Sequence, residues 1–244
     1  MAALDTGVDA DHPDLRGRVL PGGNTLAQDA DTRDRDGHGT HVAGILGASG
    51  ADGIGGAGLC WRIRILPVKV MDRGRGYDAA ALEGLARAVR HGASLVNMSL
   101  NSGDSRLSPF YERAATWARN QVAWIVASAG NGGTAVTQPA NTPGIIGVAA
   151  VNREGRRCPW SNHGAGVMLA APGEGILSTL PGGRWGLHSG TSIAAPFVTG
   201  ALAMLLESQP GAPRERVLAL LRQTTRPAGD PGLGAGILAL DRLP

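Results

Sequence analysis

The chain has 244 residues, of which 43% are hydrophobic and 18% charged, with 38 glycines and a net charge of +3. That balance fits a single globular domain able to bury a large core, and it excludes a disordered or collagen-like chain. The cations are almost all arginine (Lys69 is the only lysine) and lie scattered in pairs such as Arg62/Arg64 and Arg73/Arg75, with no basic stripe, which argues against nucleic-acid binding.

Taken in chain order, Met1-Ala2-Ala3-Leu4 reads as the end of an apolar strand, and Asp5-Thr6-Gly7-Val8-Asp9 as the turn out of it. Residues 22–37 are polar and acidic and read as a surface loop. Gly37 to Leu46 reads as a turn opening a short buried helix, and Ile63 to Val70 as a strand. Leu82, Leu85, Ala86 and Val89 recur at helical spacing within Asp78 to His91, and Gly92 follows as a C-terminal cap. Leu95 to Leu100 is the next strand, Pro109 to Asn120 a helix, Val122 to Ala127 a strand and Ile145 to Val151 another. A helix at Arg214 to Arg222 and a strand at Gly236 to Leu240 end the chain. Continuous apolar strands alternating with helices predict a parallel sheet covered on both faces, in one domain spanning residues 1–244.

The longest uncharged stretch, Ser189 to Leu206, contains Ser, Thr, Gly and Pro and reads as a buried helix rather than a membrane span. Cys60 and Cys158 allow one disulfide or two free thiols, and no CxxC spacing suggests zinc. Gly53 to Gly58 fits GxGxxG, but it follows a helix and leads into a strand, the reverse of a dinucleotide fingerprint. His38 and His41 have no third ligand at recognisable spacing, so His41 reads as structural.

Asp5, Ser99 and Asn131 all fall just after predicted strands, where ligands bind in open α/β sheets. Ser192 precedes the apolar run from Phe197 to Leu206 and sits at or near a helix N-terminus. A helix cap is the ordinary explanation of such a serine; a nucleophile needs a base and an orienting acid elsewhere. His38 and Asp5 supply that pair, and the Asn131 amide supplies a donor for a developing oxyanion.

In the order Asp…His…Asn…Ser these segments resemble the subtilisin-like serine proteases (subtilases, peptidase S8). Asp5-Thr6-Gly7-Val8 is similar to the family's aspartate motif, Gly37-His38-Gly39-Thr40-His41-Val42-Ala43-Gly44 to its histidine motif and Gly190-Thr191-Ser192-Ile193-Ala194-Ala195-Pro196 to its serine motif. Ser128-Ala129-Gly130-Asn131 is similar to the oxyanion segment, and the separations of 33 and 154 residues are about those of the family. The resemblance implies a three-layer α/β/α fold with a mainly parallel sheet. It also implies a serine endopeptidase with Asp5, His38 and Ser192 as triad and Asn131 in the oxyanion hole.

By the same resemblance, Ser99-Leu100-Asn101 and Ser128-Ala129-Gly130 wall the pocket for the side chain before the scissile bond, and Gly74-Arg75-Gly76 pairs with extended substrate. Gly132 stands where some relatives carry an acid, so no basic preference is expected at the first subsite. The acidic loop up to Asp36 favours a basic residue one position further along. Asp14 and Asp52 are calcium candidates for a structural ion; no cofactor is required. The partner is a polypeptide, with no nucleic acid or membrane, and the expected state is a monomer. Met1 falls inside the first strand, so the expectation is a domain truncated at its N-terminus, lacking signal peptide and pro-segment, with a short, frayed strand carrying Asp5. The family is secreted, but the chain itself assigns no compartment. The alternatives are a catalytically silent binding or scaffold protein and an α/β-hydrolase. Residues 190–194 are not G-x-S-x-G, and the acid precedes the histidine, against the hydrolase order.

Overall fold

The computed structural model describes residues 1–50, 53 and 55–244. Among them the strands are β1 (Ala2–Asp5), β2 (Gly23–Asn24), β3 (Leu66–Lys69), β4 (Met71–Asp72), β5 (Arg75–Gly76), β6 (Leu95–Met98), β7 (Trp124–Ser128), β8 (Ile146–Val151), β9 (Val167–Pro172), β10 (Ile176–Leu180), β11 (Arg184–His188), β12 (Thr225–Arg226) and β13 (Ile237–Leu238). The helices are α1 (His38–Gly47), α2 (Asp78–Arg90), α3 (Pro109–Asn120), α4 (Thr191–Ser208) and α5 (Arg214–Gln223).

A nine-stranded sheet runs in the order β12-β13-β9-β8-β7-β6-β1-β3-β2. Every pair in it is parallel except β12 with β13. Side chains alternate across a strand, so each strand feeds both faces. Leu4, Val96, Met98, Ile125 and Ala127 pack with α2 and α3. Leu95, Trp124, Val126 and Ile146 pack with α4 and α5 on the other face, and Ala3 packs there with α1. This is the expected three-layer arrangement. α4, long and apolar enough by composition to cross a membrane, packs within the protein on β6, β7, β8 and β9.

Several expectations need correction. β1 is short but not frayed: all four residues are buried, and it pairs with β3 on one side and β6 on the other. The stretch 22–37 is more than a surface loop, because β2 joins the sheet and Asp34 is buried. The strand expected from Ile63 begins only at Leu66, since residues 60–64 are turn and loop, and Ile65 is bridged outside the strand to Val19. β9 and the hairpin β10–β11 have no counterpart in the sequence reading. β9 reads Val-Met-Leu-Ala-Ala-Pro, with one β-branched residue, and so lacks the usual strand signal.

Candidate active site

β1 carries Asp5 to the carboxyl edge of the sheet, where it is 1% exposed. Its Oδ1 accepts the Thr6 N–H at 2.7 Å and the His38 Nδ1–H at 2.7 Å; Oδ2 is buried without a partner among the described residues. His38 is the first residue of α1, whose N-cap, Gly37, has φ of 106° and offers no side-chain cap. Asp34 takes over that task. Its Oδ1 accepts from Thr6 Oγ1 (2.8 Å) and from the N–H groups of Asp36 (3.0 Å) and Gly37 (2.9 Å). Its Oδ2 accepts from Thr40 N–H (2.8 Å) and Thr40 Oγ1 (2.6 Å). Thr6 Oγ1 in turn accepts the Gly39 N–H at 2.9 Å. A carboxylate at a helix N-terminus is favoured by the free N–H groups and the dipole there. Asp34, Thr6 and Thr40 thus lock the strand bearing Asp5 to the helix bearing His38. The sequence reading missed this set; its trace is an Asp three residues before the glycine that opens the helix.

Ser192 is the second residue of α4, and Gly190 is the N-cap. The capping explanation therefore fails: Ser192 Oγ lies 2.9 Å from His38 Nε2 instead. With Nδ1–H on Asp5, Nε2 is the ring nitrogen free to accept the serine proton. The Ser192 carbonyl accepts from Ser99 Oγ at 2.6 Å, Ser99 Oγ accepts from Asn97 Nδ2 at 2.8 Å, and Thr199 Oγ1 donates to Asn97 Oδ1 at 2.8 Å. This buried chain pins the start of α4 to β6.

Asn131 is exposed after β7, with Oδ1 held by the Thr191 N–H (2.9 Å) and Oγ1 (2.8 Å). The carbonyl end being engaged, the NH₂ end faces the cleft. A methyl placed on Gly190 would lie 2.9 Å from Ser192 Oγ and 3.5 Å from Asn131 Nδ2, so the two groups border the same space. As an early helical residue, Ser192 also has a backbone N–H with no intrahelical acceptor.

Burial of the His38 ring pulls its pKa down, but the charge and hydrogen bond of Asp5, with Asp36 and Asp34 behind it, outweigh burial and the net shift is upward. His41 is a different case. It donates from Nε2 to the carbonyls of Ile176 and Gly186 and stacks on His188 at 4.4 Å, and burial pushes its pKa to about 4. It is neutral and structural.

A cavity of about 330 Å³ borders His38, Ser192 and Asn131. Gly74 and Gly76 form one side, and Ser99, Leu100, Asn101 and Ser102 another. Arg75 sits on the exposed β5 edge, but its side chain lines a neighbouring depression. Ser128, Ala129 and Gly130 are buried behind the cleft and do not line it; Ser128 Oγ donates to the Leu100 carbonyl at 3.0 Å and supports that wall.

Asp14 is fully buried, with Oδ2 accepting the Trp185 indole N–H at 2.8 Å and Oδ1 without a partner among the described residues. Asp52 lies outside the described residues, as does Ile54 of the glycine-rich Gly53 to Gly58 loop. Calcium takes about 6–8 oxygens; among the described residues no group of three His, Cys, Asp or Glu is placed to hold a metal. Both cysteines are free, and burial raises each thiol pKa to about 11.

A family model described as the Subtilase family matches residues 1–236. The chain is 41% identical over 211 residues to the thermophilic serine proteinase of Bacillus sp. (strain AK1), covering 86% of this chain and 52% of that protein. It is 38% identical over 213 residues to thermitase of Thermoactinomyces vulgaris, covering 86% of this chain and 75% of thermitase. Among solved structures, proteases from Pseudoalteromonas arctica PAMC 21717 superimpose with a TM-score of 0.91 at 30% identity, over 99% of this chain and 88% of that one.

Proposed function

The chain belongs to the subtilase family, and from that premise we propose that it is a serine endopeptidase cleaving polypeptides through Ser192. The observation that carries the proposal is the His38 ring, within hydrogen-bond reach of Asp5 on one nitrogen and Ser192 on the other. As Ser192 Oγ attacks the scissile carbonyl carbon, His38 Nε2 takes its proton, and Asp5 holds the tautomer and stabilises the imidazolium. The carbonyl oxygen becomes an oxyanion that the Asn131 NH₂ and the Ser192 N–H stabilise. His38 then gives the proton to the leaving amine, and the C–N bond breaks to leave an acyl ester on Ser192. Water, deprotonated by His38, adds to that ester; collapse frees the new carboxyl end and returns the proton to Ser192.

The polypeptide lies extended against the exposed β5 edge, with Ser99 to Asn101 walling the first subsite. Support comes from the small residues Gly74 and Gly76 at that edge and from their place on the same cavity as Ser192. Hydrolysis of a fluorogenic peptide panel by the purified protein, with Ser192→Ala and His38→Ala variants beside it, tests the proposal. Cleavage that disappears in both variants is the expected result; cleavage that persists in Ser192→Ala refutes it.

A further inference from the structure

A second cavity, of about 800 Å³, opens at the same carboxyl edge of the sheet as the Ser192 cleft. Val151, Pro172 and Leu238, the last residues of β8, β9 and β13, line it. These strands run parallel to β7, β6 and β1, whose ends lead into Asn131, Ser99 and Asp5. Open parallel sheets place their ligands beyond such strand ends, and a volume of this order is that of a ligand site.

The cavity abuts the N-cap of α4. Gly190 donates its N–H to the Gly173 carbonyl at 2.8 Å, and Gly175 donates to Ser189 Oγ at 2.9 Å. Gly173 stands between Pro172 and Glu174, which both line the cavity, so the near rim is one hydrogen bond from that N-cap. The acyl side of the cleft lies the other way: β5 follows β3, and β3 and β9 are on opposite sides of β1 in the sheet. A chain that enters along β5 and crosses Ser192 therefore leaves toward the cavity. Phe197, on the cavity wall, is five residues past Ser192 on α4, about 7.5 Å along the axis. At about 3.3 Å per extended residue, the leaving segment reaches it within about three to five residues.

The wall of the cavity is apolar. Ile176, Phe197 and Ile237 are half-buried on it, and Leu240 is 40% exposed. A contiguous apolar wall left open to water marks a binding surface. Of the charges at its rim, Arg226 pairs with Asp241 and Glu154 with Arg156. Glu174, next to Gly173, is exposed and forms no ion pair among the described residues.

We propose that this cavity is an exosite for the part of the polypeptide substrate beyond the scissile bond. It takes one apolar side chain about three to five residues past the bond, and Glu174 favours a basic residue just before it. The proposal rests on Ser192 as the nucleophile and on the direction of the substrate in its cleft. Binding so far from the reacting bond is the same in ground and transition states, so it lowers KM and leaves kcat. An apolar side chain set into an open cavity is worth about tenfold, and an exposed ion pair about fivefold or less.

Internally quenched peptides with a constant alanine-rich acyl half carry a single Leu walked from the first to the eighth position after the bond, and mass spectrometry fixes the bond cut. The expected result is a KM about tenfold lower than for the all-alanine peptide at one position from the third to the fifth. Leu240→Asp removes that gain. Glu174→Gln removes only the further gain from a Lys placed just before the Leu, with circular dichroism confirming that both variants are folded. No gain at any of these positions, or a gain that survives Leu240→Asp, overturns the proposal. So does a dimer in sedimentation that Leu240→Asp dissolves, because the cavity then belongs to a second copy. Labelled versions of the same peptides, titrated by fluorescence anisotropy onto full-length Ser192→Ala, keep binding apart from chemistry. Leu-dependent tightening there, without cleavage by the unmodified protein, condemns only the catalytic reading; flat Kd values condemn the exosite.

Discussion

Asn131 turns one end of its amide into the protein and the other into the cleft, where it serves the proposed oxyanion hole. Asn131→Ala is expected to lower kcat by about 10²–10³, a magnitude established on subtilisin itself, with little change in KM or fold; steady-state kinetics check it. His38 carries a pKa raised above the free value of about 6.5. Because the base must be neutral to accept a proton, the acid limb of kcat/KM against pH is expected above about 6.5. The stability that protonated His38 gains from its carboxylates has the opposite sense: it is full below about 6.5 and lost as pH rises through the folded value. Asp34→Asn removes one of those negative charges and loosens the start of α1, so it should move the acid limb to lower pH and reduce kcat. An unmoved limb would show that Asp34 has no electrostatic part in tuning His38. Asp5, His38, Asn131 and Ser192 were legible in the sequence because each sits in a short motif of small residues with reactive chemistry. Asp34 was not, because a buried carboxylate satisfied by five donors looks, in sequence, like any acid in a polar loop.

At the scale of elements, the site depends on how closely α1 approaches the end of β1. Gly39 makes this approach possible: a methyl there would overlap the Gly7 carbonyl and lie 3.1 Å from the Asp5 side chain. Gly39→Ala is expected to separate Asp5 from His38 and lower kcat by more than about tenfold, while the helix propensity itself improves slightly. Activity assays with a thermal melt distinguish this local displacement from global loss of fold. Periodicity revealed the helices well, since α2 and α3 each bury one apolar stripe against the sheet. It failed for the hairpin β10–β11, where Leu177 and Leu187 face each other across the strands and both stay exposed. The buried positions of β10 are the adjacent polar residues Ser178 and Thr179, whose hydroxyls donate to the His41 and Thr40 carbonyls of α1, so no apolar alternation was written there.

For the molecule as a whole, the sequence announced parallel strands between two helical layers but not their order. The neighbours of β1 are β3 and β6, from far along the chain, and such pairings leave no local trace. A melting temperature unchanged by calcium or chelator would count against calcium at Asp14, and a chelator-induced drop of several degrees would show a site that takes in residues beyond the described ones. Because both thiols are free, reductant is expected to leave the melting temperature unchanged. Ser192 is proposed here as the activated nucleophile of a preorganised site. Its most direct test is reaction of the folded protein with a fluorophosphonate, followed by peptide mapping of the adduct by mass spectrometry. The expected result is stoichiometric labelling on Ser192 that is abolished by His38→Ala. Absence of labelling in folded protein, or an adduct on another residue, would contradict it.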